Sequence, residues 1–322
     1  MLGKGMSSAR LRPGGYRRAV HPLDLLFLRA AHDRAAHRRA EPRLVDDLLK
    51  EPGTRILVLQ GDQVATAGPR VAFLAPDDVA HLAVGAHLFL GEADGVPYLA
   101  AVLARTAPEP ALGSVPEPGT GWAGLRTLDV PDLDQGLAVE AIALARWHET
   151  HTHCPRCGTP TEVAQAGWVR ICPEDGSHHF PRTDPAVIMA ITDADDRLLL
   201  ARGPAWGTDR RSVLAGFVEP GESLEQAVVR ETAEEVGVVV DPATVEYRGS
   251  QPWPFPASLM LGFRARATTT ALVRQEDEIA EADWFTRAEL GAAIAEGRLS
   301  PPGRSSIARA LIEEWHGGRV GD

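Results

Sequence analysis

GFVEPGESLEQAVVRETAEEVGV, Gly216 to Val238, joins a glycine-bounded loop to an acidic helix. Gly216 and Gly221 permit a tight loop, and the pattern from Glu222 to Val236 reads as a helix that Gly237 ends in a cap position. On that helix Glu231, Glu234 and Glu235 stand at i, i+3 and i+4, so their carboxylates gather on one face. Like charges so close repel, which costs stability unless a cation neutralises them. Magnesium and manganese are hard ions that take carboxylate and diphosphate oxygens, so the face reads as a divalent-metal site. The plainer alternative is an amphipathic helix with a solvated acidic face, Leu224, Ala227, Val228 and Val236 packing inward. The fixed spacing of glycine, glutamate and arginine across the whole stretch favours the metal.

Composition sets the frame. With 322 residues, 44% hydrophobic and 24% charged, the chain can bury a sizeable core and has room for two domains with a small insert. A net charge of −11 argues against a non-specific nucleic-acid binder, which needs a basic surface to displace counterions. An acidic protein still binds a phosphorylated substrate when a divalent cation sits between them. No apolar run reaches the ~18 residues of a membrane span, and the basic stretch MLGKGMSSARLRPGGYRRAV leads into no apolar signal core. A cytoplasmic location away from membranes is therefore expected. The first block carries β-like runs, RILVLQ, RVAFLA and PYLAAVLA, and a helical pattern in DQGLAVEAIALARWHETH, but no chemical motif. RTAPEPALGSVPEPGTGW is a Pro/Gly-rich loop within it.

All three cysteines fall between His153 and Arg182. Cys154 and Cys157 have C-x2-C spacing, and Cys172 follows after fourteen intervening residues, close to the spacing of a two-knuckle zinc ribbon. A fourth cysteine is expected at position 175, where Asp175 stands. Zinc accepts nitrogen or oxygen in place of thiolate, which makes Asp175, His178 and His179 candidates for the last ligand. Zinc favours imidazole once thiolates fill the other positions, and His178 has five residues of slack after Cys172, so His178 is preferred over its rivals. One structural zinc per chain is the expectation, because a segment of about thirty residues needs a metal staple.

The 216–238 stretch matches the Nudix box almost position for position, and on it the chain resembles the Nudix hydrolases. Thr232, where the family has an aliphatic residue, is the departure. SQPWPFPASLM, Ser250 to Met260, begins thirteen residues after Gly237. That signature resembles the NADH pyrophosphatase group, as do Trp147-His148, FPRTDPAVI (Phe180 to Ile188), PPG and IARALIEEW. The resemblance implies an α+β fold: a Nudix α/β/α sandwich with a mixed sheet, preceded by a zinc ribbon and a degenerate Nudix-like N-terminal domain. The expected divisions are a disordered tail at 1–20, the N-terminal domain at 21–148, the ribbon at 149–183 and the catalytic domain at 184–318.

By the same resemblance the reaction is metal-dependent hydrolysis of the NADH diphosphate to reduced nicotinamide mononucleotide and AMP, by a homodimer whose pocket uses both chains. Mg²⁺ or Mn²⁺ is assigned to Glu231, Glu235, Glu278 and the Ala215 carbonyl, with Glu276 and Glu281 as rivals of Glu278. Glu234 is a further acid or base, and Arg230 orients the box carboxylates. Gln251, Pro252, Trp253, Pro254, Phe255, Pro256, Ala257 and Ser258 line the nicotinamide-nucleotide side. Phe180 offers a ring for base stacking, and Ala308 a backbone contact. The prolines alone make this loop stiff and non-helical, a property that serves packing as readily as recognition. NAD-capped RNA is an alternative substrate of the same chemistry, and a non-catalytic dinucleotide sensor is the alternative of another class.

Overall fold

The computed structural model describes Leu23, residues 31–104 and residues 120–321. The expected disordered tail at 1–20, most of the helical start that follows it and most of the Pro/Gly-rich loop lie outside the described residues.

A seven-stranded sheet occupies the N-terminal part. Its strands are β1 (Arg55–Gln60), β2 (Gln63–Ala67), β3 (Arg70–Val71), β4 (Phe73–Leu74), β5 (Val84–Ala93), β6 (Val96–Leu103) and β7 (Thr120–Gly124). Helices α1 (Leu44–Leu48), α2 (Pro76–Val79) and α3 (Asp132–Thr150) accompany it. RILVLQ is apolar without alternation because β1 is central and covered on both faces. Leu57 and Leu59 enter the core shared with α3, while Ile56 and Val58 enter the opposite core with Leu44 and Leu48 of α1.

The ribbon sheet holds β8 (Glu162–Ala164), β9 (Val169–Ile171) and β10 (His178–His179). Buried polar contacts fasten it to the first domain. His148, near the end of α3, donates from Nε2 to the Gly167 carbonyl at 2.8 Å and accepts from Arg170 at Nδ1 at 3.0 Å. The Trp168 indole donates to the Phe89 carbonyl of β5 at 2.8 Å. Burial pushes the His148 pKa down, which keeps the ring neutral and able to accept from Arg170.

The six-stranded C-terminal sheet contains β11 (Asp184–Thr192), β12 (Leu198–Arg202), β13 (Leu214–Phe217), β14 (Glu246–Trp253), β15 (Ser258–Arg266) and β16 (Glu281–Phe285). Helix α4 (Leu224–Val236) lies on one face, and α5 (Arg287–Ala295) and α6 (Ile307–His316) on the other. Val187, Met189 and Ile191 of β11 pack with α4, and Ile188 and Ala190 pack with α5 and α6, the period of two that a central strand imposes.

The two large sheets share one pairing scheme. β1 is antiparallel to β2 and β4 and parallel to β6, and β6 is antiparallel to β5. β11 is likewise antiparallel to β12 and β13 and parallel to β15, and β15 is antiparallel to β14. β7 flanks β2 as β16 flanks β12. Thus α2, between β4 and β5, stands where α4 stands between β13 and β14.

Helix α4 begins two residues later than its acidic pattern suggests, because Ser223 caps it. Ser223 Oγ accepts from the Gln226 amide at 3.2 Å, and Gln226 Oε1 accepts from the Ser223 amide at 2.9 Å. Gly237, at φ 71°, closes the helix in the left-handed region. Thr232 is fully buried, and its hydroxyl donates to the Val228 carbonyl at 2.7 Å, so the departure from an aliphatic residue leaves no polar atom unpaired.

Candidate active site

β13 and α4 meet edge to face, and the contact is made by a carboxylate. A Cβ built on Gly216 would lie 1.9 Å from the Glu231 carboxyl carbon, so only glycine lets that side chain lie along the strand. Arg230 fans across the acidic face. It donates from Nε and Nη2 to both oxygens of Glu222 (2.7 and 2.8 Å), from Nη1 to Glu231 (2.8 Å) and Glu234 (2.9 Å), and from Nη2 to the Phe217 carbonyl (2.9 Å). These contacts hold the Glu222 carboxyl below its usual range and tie the loop to the helix. Arg230 thus pairs with three carboxylates, Glu222, Glu231 and Glu234.

Glu231 and Glu235 are 9% and 7% exposed, whereas Glu234 is open to solvent. Burial, and then the neighbouring charges of Glu231, Glu278 and Glu234, push the Glu235 pKa up to about 8. Its Oε2 is buried and has no hydrogen-bond partner. Glu231 is raised as well, chiefly by burial. A buried carboxylate crowded by like charges and left with an unpaired oxygen is the environment that a divalent cation relieves. The donor set, hard oxygen throughout, fits magnesium or manganese.

Glu278 reaches this cluster through the segment after β15. The Val273 and Gln275 amides bond to the carbonyls of Val236 and Glu235 at the end of α4 (2.9 and 3.0 Å), and Ile279 is buried in the core beneath. Among its rivals, Glu281 is engaged by Arg202 at 2.7 Å and by Arg211, while Glu276 and Glu278 are both exposed. Glu278 is the one whose charge acts on Glu231 and Glu235. Ala215 is next to Gly216 on β13, opposite Ile188 of β11.

In the ribbon, Cys154, Cys157, Cys172 and Asp175 bring one ligand atom each within 4.8 Å of one another. Cys157 Sγ lies 3.5 Å from Cys172 Sγ, and Cys154 Sγ lies 3.8 Å from Asp175 Oδ2, close to the ~3.8 Å edge of a tetrahedron with ~2.3 Å zinc bonds. The structure brings Asp175 to the three cysteines, and not the preferred His178. His178 is exposed on β10, its ring 6.4 Å from that of Phe180, and His179 bonds to Ser177 Oγ at 3.1 Å. The reason is backbone. The Gly158 amide bonds to the Cys154 carbonyl and the Gly176 amide to the Cys172 carbonyl, both at 2.9 Å, with φ of +75° and +68°. The second turn therefore repeats the first, and Asp175 takes the place of Cys157. The repeat is readable in CPRCG against CPEDG. Hydrogen bonds from Ser177, side chain first, hold the Asp175 pKa down to about 2, so the carboxylate is charged.

The 250–260 loop is placed differently from a plain pocket wall. Gln251 is fully buried and used at both ends: Nε2 donates to the Ser305 carbonyl at 2.6 Å, and Oε1 accepts from the Ile307 amide at 2.8 Å. Pro254 and Ser258 are buried, and Pro252, Trp253, Phe255 and Ala257 half-buried, while Pro256 is exposed. Trp253 and Phe255 pack edge to face at 5.1 Å against the core of the N-terminal domain. Phe180 is 63% exposed, which leaves its ring open for stacking. Ala308 is buried, and its amide donates to Ser306 Oγ at 3.2 Å. Sequence reasoning missed Ser305 and Arg126, both of which touch the loop or its anchor; neither lies in a motif.

Residues 182–309 match the NUDIX domain and residues 149–180 the NADH pyrophosphatase zinc ribbon domain. A protein of Mycobacterium bovis named NAD-capped RNA hydrolase NudC is 42% identical over 275 residues, covering 82% of this chain and 86% of its own. One of the same name from Pseudomonas aeruginosa is 44% identical over 207 residues, 63% of this chain and 70% of its own. Among solved structures, a NUDIX hydrolase from Nitrosomonas europaea aligns with a TM-score of 0.41 at 20% identity, covering 53% of this chain and 96% of that one. The chain belongs to the Nudix hydrolases, an α+β family of enzymes. Within them it falls in the group distinguished by the NADH pyrophosphatase zinc ribbon.

Proposed function

We propose that the chain hydrolyses the diphosphate bond of NADH and NAD, releasing nicotinamide mononucleotide and AMP. The observation that carries this reading is the buried pair Glu231 and Glu235, with an unpaired carboxylate oxygen and the charge of the exposed Glu278 beside it, in a chain that also carries the 250–260 signature. Glu231, Glu235 and Glu278, with the Ala215 carbonyl, hold Mg²⁺ or Mn²⁺. When bound, the ion neutralises the diphosphate and makes its phosphorus more electrophilic. Water adds to that phosphorus, the anhydride P–O bond breaks, and Glu234, an exposed carboxylate of the cluster, accepts the proton. Arg230 keeps Glu231 and Glu234 aimed throughout. A non-catalytic sensor has no use for so costly a pair of buried charges.

The loop from Gln251 to Ser258 forms the nicotinamide side in this reading, with Gln251 acting through its anchorage and Phe180 supplying a stacking ring. Three cysteines and Asp175 hold one structural zinc per chain. Residues 21–148, 149–183 and 184–318 are read as a degenerate Nudix-like domain, the ribbon and the catalytic domain. The shared pairing scheme, with a four-residue helix where the box helix stands, supports the first of these. A homodimer would cover Phe180 and Phe217, 63% and 59% exposed. No helix among the described residues is long and apolar enough to cross a membrane, and a cytoplasmic location is part of the same reading.

The names of the two relatives favour a second substrate, RNA bearing a 5′ NAD cap, whose diphosphate is the same. The test is product analysis of purified protein with NADH, NAD, ADP-ribose and NAD-capped RNA, each with Mg²⁺ or Mn²⁺. Release of AMP and nicotinamide mononucleotide from NADH is the expected result. Absence of cleavage of every dinucleotide with either metal would overturn the reading, and cleavage of capped RNA alone would leave only the second.

A further inference from the structure

Trp253 ends β14 of the C-terminal sheet and Phe255 lies in the turn that leads to β15, yet both pack on the N-terminal core. The residue that meets them from that side is Arg126, in a 3-10 turn, Leu125–Thr127, that follows β7. Its guanidinium carbon lies 4.4 Å from the Phe255 ring centroid and 5.4 Å from that of Trp253. Leu125, fully buried, roots the turn. The Arg126 carbonyl accepts from Ser305 Oγ at 3.0 Å, and the Ser305 carbonyl accepts from Gln251 at 2.6 Å. One residue of the N-terminal domain therefore touches the loop twice: through its side chain on the two rings, and through its backbone on the segment that anchors Gln251.

We propose that Arg126 is a positioning residue for dinucleotide specificity, holding the Trp253–Phe255 pair at the angle that receives the nicotinamide nucleotide. Two half-buried rings in edge-to-face contact can rock about their χ angles. A cation drawn to the negative face of both favours the arrangement in which both rings are turned toward it. A pocket wall ordered before substrate arrives spares the ordering cost at binding. The N-terminal domain, none of whose described residues brings a carboxylate to the metal cluster, thereby takes part in recognition.

The proposal rests on the reading of residues 251–258 as the nicotinamide side, and its test separates the two. Arg126→Ala keeps the backbone contact to Ser305 and removes only the cation. For NADH it should raise KM about fivefold, in line with the strength of such a contact, with kcat essentially unchanged. Diadenosine diphosphate, which lacks nicotinamide, should show no change in KM, and Arg126→Lys should recover most of the loss. Ser305→Ala, which loosens the same turn without touching the rings, should move KM the same way by less. An unchanged KM for NADH in Arg126→Ala, while Trp253→Ala raises it, would overturn the role of Arg126 and leave the pocket intact. An unchanged KM in Trp253→Ala would overturn the pocket itself and this proposal with it. Equal loss on both substrates, with a lowered melting temperature, would make Arg126 a packing residue only.

Discussion

The N-terminal and C-terminal sheets share one pairing scheme, the short β3 aside, and one connection within that scheme separates them. Between β4 and β5 the chain makes a helix of four residues; between β13 and β14 it makes one of thirteen. The strand that leads into each connection differs too. On the face that carries each helix, β4 sets Leu74 opposite Ile56 of the central strand, and β13 sets Gly216 opposite Val187. A bulky residue at that point closes a core, whereas a glycine leaves room for a carboxylate. The pairing scheme is a frame common to both sheets; what the second adds is a glycine on one strand and a helix long enough to carry three glutamates to it.

The sharpest way to break that contrast is to close the gap in the second sheet. Gly216→Ala puts a methyl group where the Glu231 carboxylate lies, and the helix cannot retreat without disturbing its buried face. Turnover should fall by at least roughly a hundredfold, the loss expected when a ligand to the catalytic ion is displaced. Glu235→Gln should lose a similar factor while keeping the fold, because a neutral amide relieves the crowding but is a poor ligand for a hard cation. Near-normal turnover of NADH by either folded variant would show that the glycine and its carboxylates are not what separates the sheets.

A smaller effect is expected at the ribbon, which lies between them. Asp175→Ala should weaken zinc retention by about tenfold or more, read by metal analysis after dialysis against a chelator, and His178→Ala should retain metal as the parent does. The reverse pattern would return the fourth position to histidine. Smaller still, Pro254→Gly should raise KM for NADH by about two- to fivefold through the added freedom of the loop, and should affect diadenosine diphosphate less. At the bottom of the scale stands the counterpart helix. Asp78 in α2 accepts from the Ala75 amide at 3.3 Å, so Asp78→Ala should cost less than about 1 kcal/mol of stability and leave turnover untouched. A change in kcat there would mean that the first sheet shares in the chemistry after all.

What could be read from the sequence follows the range of the forces involved. The box helix, its Gly237 cap and its acidic face depend on residues within a few turns of one another, and spacing alone displayed them. RILVLQ was likewise legible as a β-like run. At the fourth ribbon position ligand preference pointed to His178 and backbone geometry points to Asp175, whose CPEDG repeats CPRCG in plain view. Gln251 could not be read, since a glutamine among prolines looks like a binding residue until its partners, more than fifty positions away, are known. Arg126 was hidden for the same reason: nothing local distinguishes it from the other arginines of the chain. The pairing scheme of the first sheet, made of short strands with no motif, became legible only beside the second.

The bond from Ser305 to Arg126 joins positions 179 apart. A ribosome adding about 5–20 residues per second makes the Arg126 turn roughly 10–40 s before its partner. Every carboxylate of the metal cluster is synthesised within that interval, Glu278 included. A growing chain that has just passed Glu278 thus holds all the acidic ligands while Gln251 still lacks Ser305 and Ile307, the residues that fasten it. During its own synthesis the protein completes the parts for cutting a diphosphate before the parts for choosing which one.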